Sequence, residues 1–175
     1  MKTLKTIFIL LALVYANSSF AQTKEETISW LKANANTLLI NTYTVGPYQF
    51  SNSVYMIDNE NITLCRKEVR STEWNYTEYY NLPFKSILYQ DVNTIHKATY
   101  TSDGKPTDVY YFIIKLEPKS GAYKYSDKNI QKEIIDDDYV TFYFMKDSEQ
   151  DIKRILKAIM HLAKLSGAKE NKQTF

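Results

Sequence analysis

The chain has 175 residues and nearly balanced charge, with 22 basic and 20 acidic residues. This length suits one domain with a sizeable core. The basic residues are scattered among acids, which argues against nucleic acid or an anionic membrane surface as partner, because both require clustered Lys and Arg. The single cysteine, Cys65, excludes an internal disulfide, and we expect it to be a half-buried small residue of a strand.

The N-terminus has the three parts of a secretory signal. Lys2 and Lys5 are the positive segment, Ile7 to Ala16 is apolar, and Ser19 to Ala21 places small residues at a cleavage site. The apolar run is shorter than the roughly 20 residues that a membrane-spanning helix needs. We therefore predict export, to the periplasm or the extracellular space, after cleavage following Ala21, with no stable membrane insertion. Residues 22–167 then form a single β-rich domain, and residues 168–175 are a polar tail that we expect to fray.

The first helix is predicted from its N-terminal pattern. Thr23 and Glu26 have the spacing of a capping box. The apolar positions that follow share one face; they are Ile28, Leu31, Ala35 and Leu38. Trp30 lies off this stripe, so it either packs at an edge of the core or contributes to binding.

From about Leu39 to Lys146 the hydrophobic period becomes alternating, which predicts strands. The predicted strands are Asn41 to Thr44, Tyr48 to Ile57, Asn61 to Arg70, Glu73 to Tyr80, Phe84 to Tyr89, Val92 to Thr101, Asp108 to Leu116 and Asp138 to Met145. Tight turns at Asp58 to Asn61 and at Ser102 to Lys105, the second with Asp103-Gly104, indicate antiparallel hairpins. No helical pattern separates the strands, so the sequence predicts neither a parallel sheet nor a phosphate-binding glycine loop.

A long amphipathic helix is predicted near the C-terminus. Asp147 or Ser148 caps it, and Gly167 stands where a left-handed end is needed. Its apolar face consists of Ile152, Ile155, Leu156, Ile159, Leu162, Ala163 and Leu165. Such a face must dock on a sheet. The fold class is therefore α+β: a strongly bent antiparallel sheet or partly open β-barrel, with an N-terminal helix and a long C-terminal helix packed on it.

This order of elements resembles small exported bacterial domains with a pleckstrin-homology-like barrel. Two segments add to the resemblance: Asn81 to Ile87 is similar to the step into a middle strand of such domains, and Ile155 to Gly167 is similar to their C-terminal helix. The resemblance implies the barrel but brings no catalytic residues. Phosphoinositide binding, known in some members, needs a basic loop, and Tyr43 to Tyr55 contains no Lys or Arg.

Sequence motifs for catalysis are absent. His96 and His161 have no metal-ligand spacing, Cys65 has no local partner signature, and Asp136 to Asp138 lacks the spacing of a calcium loop. We expect no cofactor and no metal, and we interpret the aspartate run as a solvated loop.

Tyrosine is the unusual component of the chain, with 15 residues. Neighbouring residues of a strand point to opposite faces, so the pairs Tyr79-Tyr80 and Tyr110-Tyr111 each place one ring inward and one outward. Outward rings either pair across strands or bind a ligand. The candidate binding residues are Tyr79, Tyr80, Tyr110, Tyr111, Trp74 and Trp30.

Two functional hypotheses follow. The leading one is a non-enzymatic binding or interaction domain that uses an aromatic sheet face or the groove between sheet and helix, with a protein, glycan or small-molecule ligand as partner. The alternative is a small-molecule carrier or small enzyme with a cavity inside the bent sheet. Whether the chain is an enzyme is left open, with the balance against it. Bulky residues at alternating positions, such as Phe112, Ile114, Phe142 and Phe144, favour a filled core and hence the first hypothesis.

Overall fold

The computed structural model describes residues 22–38, 42–45, 48–71, 74–90, 92, 95–102, 105–144 and 149–171. The predicted signal segment, the Asp103-Gly104 turn and the Asp147 or Ser148 cap lie outside these residues. Among these residues, neither helix has the length and hydrophobicity that a membrane-spanning segment requires.

Helix α1, Lys24–Leu38, begins as its sequence predicts. The backbone N–H of Thr23 donates to Glu26 Oε2 at 2.8 Å, and the N–H of Glu26 donates to Thr23 Oγ1 at 3.1 Å. This reciprocal pair satisfies two donors that the helix itself leaves without partners. Ile28, Leu31 and Ala35 are buried on the face that joins the core.

The strands of the described residues form two antiparallel sheets. The strands are β1 Thr42–Val45, β2 Tyr48–Ile57, β3 Asn61–Ser71, β4 Trp74–Pro83, β5 His96–Ser102, β6 Lys105–Lys115, β7 Tyr123–Ser126, β8 Glu133–Ile134 and β9 Tyr139–Phe144. A large sheet has the order β1-β2-β3-β4-β7-β8, and a small sheet has the order β5-β6-β9. The α+β class with antiparallel strands is confirmed, and the strands described here do not close into a barrel.

Two predicted strands differ from the structure. Phe84 to Tyr89 is a short 3-10 helix, Phe84–Ser86, followed by isolated bridges at Ile87 and Tyr89. The reason is tertiary: Phe84 is fully buried and its N–H donates to the carbonyl of Glu60 at 2.8 Å, which turns the chain after β4. The strand predicted from Val92 begins at His96.

Helix α2, Glu149–Leu165, covers one end of the core. It packs against α1 and against the 3-10 helix. Its end is fixed at Gly167, whose φ is 80°, a left-handed value that glycine adopts without steric cost. The N–H of Ala168 then returns to the carbonyl of Ala163 at 3.0 Å.

The segment from Ala168, which we expected to fray, is docked as far as Asn171. The N–H of Tyr89 donates to the carbonyl of Lys169 at 3.0 Å, and the N–H of Asn171 donates to the carbonyl of Tyr89 at 2.9 Å. The side chain of Asn171 also donates to Gln90 Oε1 at 2.8 Å. These backbone bonds, which a sequence pattern does not register, hold the segment in place.

The core lies between the two sheets and under the two helices. Phe112, Ile114, Phe142 and Phe144, the residues we expected inside, are each at most 3% exposed. Cys65 is fully buried instead of half-buried, and burial raises the pKa of its thiol. Large apolar side chains therefore make up this part of the interior.

Candidate functional site

A polar cleft of about 430 Å³ opens between the two sheets. One wall belongs to strands β3, β4, β7 and β8 of the large sheet, and the other belongs to β9 and the residues just before it. The lining residues are Arg66, Tyr80, Lys124, Glu133, Ile134, Ile135, Asp136, Asp137, Tyr139, Val140, Thr141 and Tyr143.

The cleft continues the core along one face of β3 and β4. Ile62 pairs with Leu82 and Leu64 pairs with Tyr80; two residues further along the same face, Arg66 pairs with Glu78. Alternate residues of a strand share a face, so the apolar pairs and the charged pair face the same side of the large sheet. The polar end of this face forms the floor of the cleft.

Glu78 is the centre of this floor, with a side chain only 8% exposed. Arg66 donates to its Oε2, Tyr80 donates to the same oxygen at 2.6 Å, and Tyr76 donates to Oε1 at 2.9 Å. The guanidinium of Arg66 also lies over the Tyr80 ring, 5.7 Å from its centroid. The carboxylate is thus paired and hydrogen-bonded on both oxygens, which buried charges require.

The titration of these groups follows from their contacts. Burial raises the pKa of Glu78, but the hydrogen bond from Tyr80, the charge of Arg66 and the hydrogen bond from Tyr76 together outweigh it, so the pKa lies below its ordinary value. Burial and the bond to Glu78 raise the pKa of Tyr76 to about 12 and raise that of Tyr80 further. Near neutral pH the floor therefore holds one carboxylate, one guanidinium and two neutral phenols.

The opposite wall includes β9, which is one of the two edge strands of the small sheet. The N–H of Leu116 donates to the carbonyl of Asp138 at 2.7 Å, so even-numbered residues around this strand bond toward β6. In an antiparallel ladder the intervening residues direct N–H and C=O away from that partner. At Tyr143 the outward carbonyl accepts from Asn52 Nδ2 at 2.6 Å. At Tyr139 and Thr141 the outward groups border the cleft.

The charges of the lining are unequal. Lys124 Nζ lies 3.7 Å from Glu133 Oε2, and Arg66 is paired with Glu78. Asp136 and Asp137 line the cleft, are exposed, and form no ion pair with another described residue. The cleft consequently carries a surplus of negative charge at the end where β9 begins.

A second aromatic surface lies on the other face of the large sheet. Tyr79 pairs with Tyr125 in the β4–β7 register, and their rings stack with centroids 4.8 Å apart and planes 14° apart. Tyr55 contacts Tyr79 edge-on at 4.8 Å. We call Tyr55, Tyr79 and Tyr125 the outer tyrosine row. The ring of Tyr79 thus contacts another ring on each side. Of the two roles considered for outward tyrosines, pairing between strands and ligand binding, these contacts correspond to pairing.

The candidate residues from the sequence fall in several places. Tyr79 and Tyr80 take opposite faces, with Tyr79 in the outer tyrosine row and Tyr80 in the cleft. Tyr110 packs against the core, 6.3 Å from the Phe144 ring, whereas Tyr111 stacks on His96 at 5.1 Å. The structure therefore does not bring these tyrosines into one site.

The two tryptophans lie elsewhere again. Trp30 is partly buried against the core, and Arg154 lies over its ring at 5.4 Å beside an open groove between α1 and α2. Trp74 begins β4, and its side chain lies outside the described part of the chain.

Arg66, Lys124 and Thr141, which line the cleft, and Glu78, which lies beneath its lining, were not candidates from the sequence. Their signal is weak, since charged residues within an alternating strand are typical of an exposed face. Arg66 and Glu78 have opposite charge and lie on consecutive strands, but the sequence indicates that they pair only if the register of the two strands is known. The sequence shows Asp136 and Asp137 only as part of a charge run, which predicts a solvated loop.

The histidines have local partners. His161 Nε2 lies 2.7 Å from the carbonyl oxygen of Gln22, and His96 stacks on Tyr111. Across the residues that the structure describes, no group of three or more His, Cys, Asp or Glu side chains is arranged to hold a metal ion.

Comparison with known proteins adds no relative. No family model, no curated protein and no solved structure matches this chain. The site therefore has to be interpreted from its own geometry.

Proposed function

We propose that this protein is an exported, non-enzymatic binding domain whose binding site is the cleft between the two sheets, and that the cleft takes a positively charged partner. The observation that carries the proposal is the unpaired carboxylate charge of Asp136 and Asp137 at the mouth of a cleft whose other ionic groups are already paired.

The charges of the cleft complement those of a cationic partner. Opposite charge across an interface steers association and selects partners, while like charge is rejected. Arg66 and Lys124 are each held by an acid, so they offer little to an anion. The free carboxylates favour a partner bearing Lys, Arg or another amine.

The aromatic and polar floor supports binding over catalysis. Tyr80, Tyr139 and Tyr143 provide ring surface in the cleft, which suits recognition by contact. Glu78, the buried carboxylate, has both oxygens occupied by donors and a lowered pKa, so it is a poor proton acceptor near neutral pH. The cleft lies beside the apolar core, at its polar end.

The order of helix, antiparallel strands and helix also supports a pleckstrin-homology-like architecture, and the apolar N-terminal segment supports export. Both are part of the proposal. The cleft takes the place of the sheet–helix groove and of the aromatic sheet face as the proposed site, because the rings of the outer tyrosine row are paired with one another.

The test compares two hexapeptides of one sequence, acetyl-Thr-Lys-Val-Lys-Val-Thr-amide and the same peptide with both lysines acetylated. We expect isothermal titration calorimetry to detect binding of the lysine peptide and to show at least about tenfold weaker binding of the acetylated peptide. The double variant Asp136→Asn with Asp137→Asn should weaken binding of the lysine peptide by a similar factor.

The matched control removes two carboxylates elsewhere, through Glu25→Gln with Glu60→Gln, both exposed in the structure. Equal loss of affinity in the two double variants would mean that net charge alone attracts the peptide. Indifference to lysine acetylation would overturn the proposal.

A further inference from the structure

We infer that the partner is an extended polypeptide segment with at least one basic residue, which adds as a strand to the free edge of β9 inside the cleft. This inference rests on the proposed function and names the partner class of the same site.

The free edge of β9 provides the hydrogen-bonding template. Thr141 and Tyr139 pair across from Ile113 and Lys115 in the β6 register, at the positions whose own N–H and C=O point away from β6. Both residues border the cleft. An added strand would satisfy these groups with backbone donors and acceptors, as in other cases of strand addition.

The sequence of β9 contains none of the residue types that protect edge strands from pairing. Its sequence, Tyr-Val-Thr-Phe-Tyr-Phe, contains no proline, no lysine and no other charged residue. One part of the edge is covered: Asn52, only 7% exposed, donates to the carbonyl of Tyr143. The available edge therefore starts at Tyr139 and ends before Tyr143, which limits the added segment to a few residues.

The charges select a basic segment and its position. Asp136 and Asp137 precede β9, so they lie at the end of the cleft where Tyr139 begins the edge. A strand placed there has side chains that alternate between faces, so a basic residue beside Tyr139 can reach these carboxylates without disturbing the backbone bonds. A small amine would use the carboxylates but not the edge.

Backbone methylation of the peptide separates strand addition from simple charge attraction. The probe is the lysine hexapeptide described above, compared with a peptide of the same side chains and charge in which alternate backbone nitrogens are methylated. Because methylation removes the donors that an added strand uses, we expect about tenfold weaker binding, from the loss of roughly one or two hydrogen bonds. Methylation in the other alternate register should have a smaller effect.

A protein variant tests the same edge from the other side. Thr141→Pro removes an N–H that faces away from β6, so the ladder to β6 is retained, and proline is tolerated at such edge positions. We expect this variant to bind the unmethylated peptide about as weakly as the natural protein binds the methylated one. If the variant does not fold, the methylated peptides still decide the question.

The outcomes distinguish the two proposals. Equal binding of methylated and unmethylated peptides, with binding still lost on lysine acetylation, would overturn strand addition and leave the charged cleft in place. Binding that depends on neither lysine charge nor backbone N–H would overturn both.

Discussion

The two halves of one sheet face behave differently. Along β3 and β4 the first half carries Ile62, Leu64 and Leu82, all buried in the core, while the second half carries the Arg66–Glu78 pair and opens into the cleft. Strand alternation is the same in both halves. The two halves differ in residue type: the apolar half is buried in the core, and the polar half borders the cleft.

The two halves also contribute differently to the stability of the fold. The apolar half gains free energy in proportion to the area it buries. The charged half gains little, because the desolvation of a buried ion pair offsets much of its attraction. A buried charged network that adds little stability is consistent with a role in shaping the cleft.

The largest effect should come from the apolar half of the interior. Phe112→Ala removes a fully buried ring, and we expect it to lower the free energy of unfolding by about 3 to 5 kcal/mol. Urea denaturation measures this. Ile134→Ala, at a side chain 69% exposed, is the control and should change stability by less than about 0.5 kcal/mol. Similar losses in the two variants would mean that the core is not where the structure puts it.

The charged half should be sensitive to removal of one partner only. Arg66→Met leaves Glu78 buried without its cation. We expect the free energy of unfolding to fall by about 3 kcal/mol, at the low end for a broken buried ion pair because the side chain of Arg66 is 30% exposed. The double variant Arg66→Met with Glu78→Leu should recover most of that loss, since neither charge then remains. A double variant as unstable as the single one would contradict the view that the pair adds little net stability.

The pH dependence of stability should also come from the charged half. The pKa of Glu78 is lower in the folded protein than its ordinary value of 4.5, so the unfolded chain binds the proton more tightly. The contribution of Glu78 to stability is therefore present above pH 4.5 and is lost as the pH falls below it toward the folded pKa. In Glu78→Gln this part of the acid dependence should disappear. If the free energy of unfolding fell equally with pH in the variant and in the natural protein, the acid dependence would belong to other groups.

The smallest effect on stability should come from the outer tyrosine row, whose rings contact one another and are not part of the proposed binding site. A double-mutant cycle of Tyr79→Ala and Tyr125→Ala should give a coupling free energy of about 1 kcal/mol, as for other cross-strand aromatic pairs. Binding of the lysine hexapeptide should be unchanged in both single variants. Loss of peptide binding there would move the site from the cleft to the tyrosine row.

Local signals in the sequence predicted much of the fold. The Thr23 capping box, the apolar face of α2 and the alternating strands were all visible, because each depends on neighbouring residues. Strands β7 and β8 were missed, since Tyr123–Ser126 and Glu133–Ile134 are short and are fixed by pairing with β4 and with each other.

The site was far less predictable, and the reason is register. Ser71 pairs with Trp74, and an uninterrupted ladder from there would place Arg66 opposite Tyr79. A bulge between Val69 and Ser71 shifts the register by one residue and brings Arg66 opposite Glu78. The free edge of β9 was equally hidden, because β9 joins β6 across the intervening strands β7 and β8.

The most informative measurement is to map where the lysine hexapeptide binds on the protein, from the changes that it causes in amide chemical shifts. We predict that the largest changes in chemical shift occur at the amides of Thr141, Tyr139, Asp136 and Lys124. The amide chemical shifts of Tyr55, Tyr79 and Tyr125 should not change. Changes centred on the outer tyrosine row, or no changes in the presence of excess peptide, would contradict the assignment of the binding site to the cleft between the sheets.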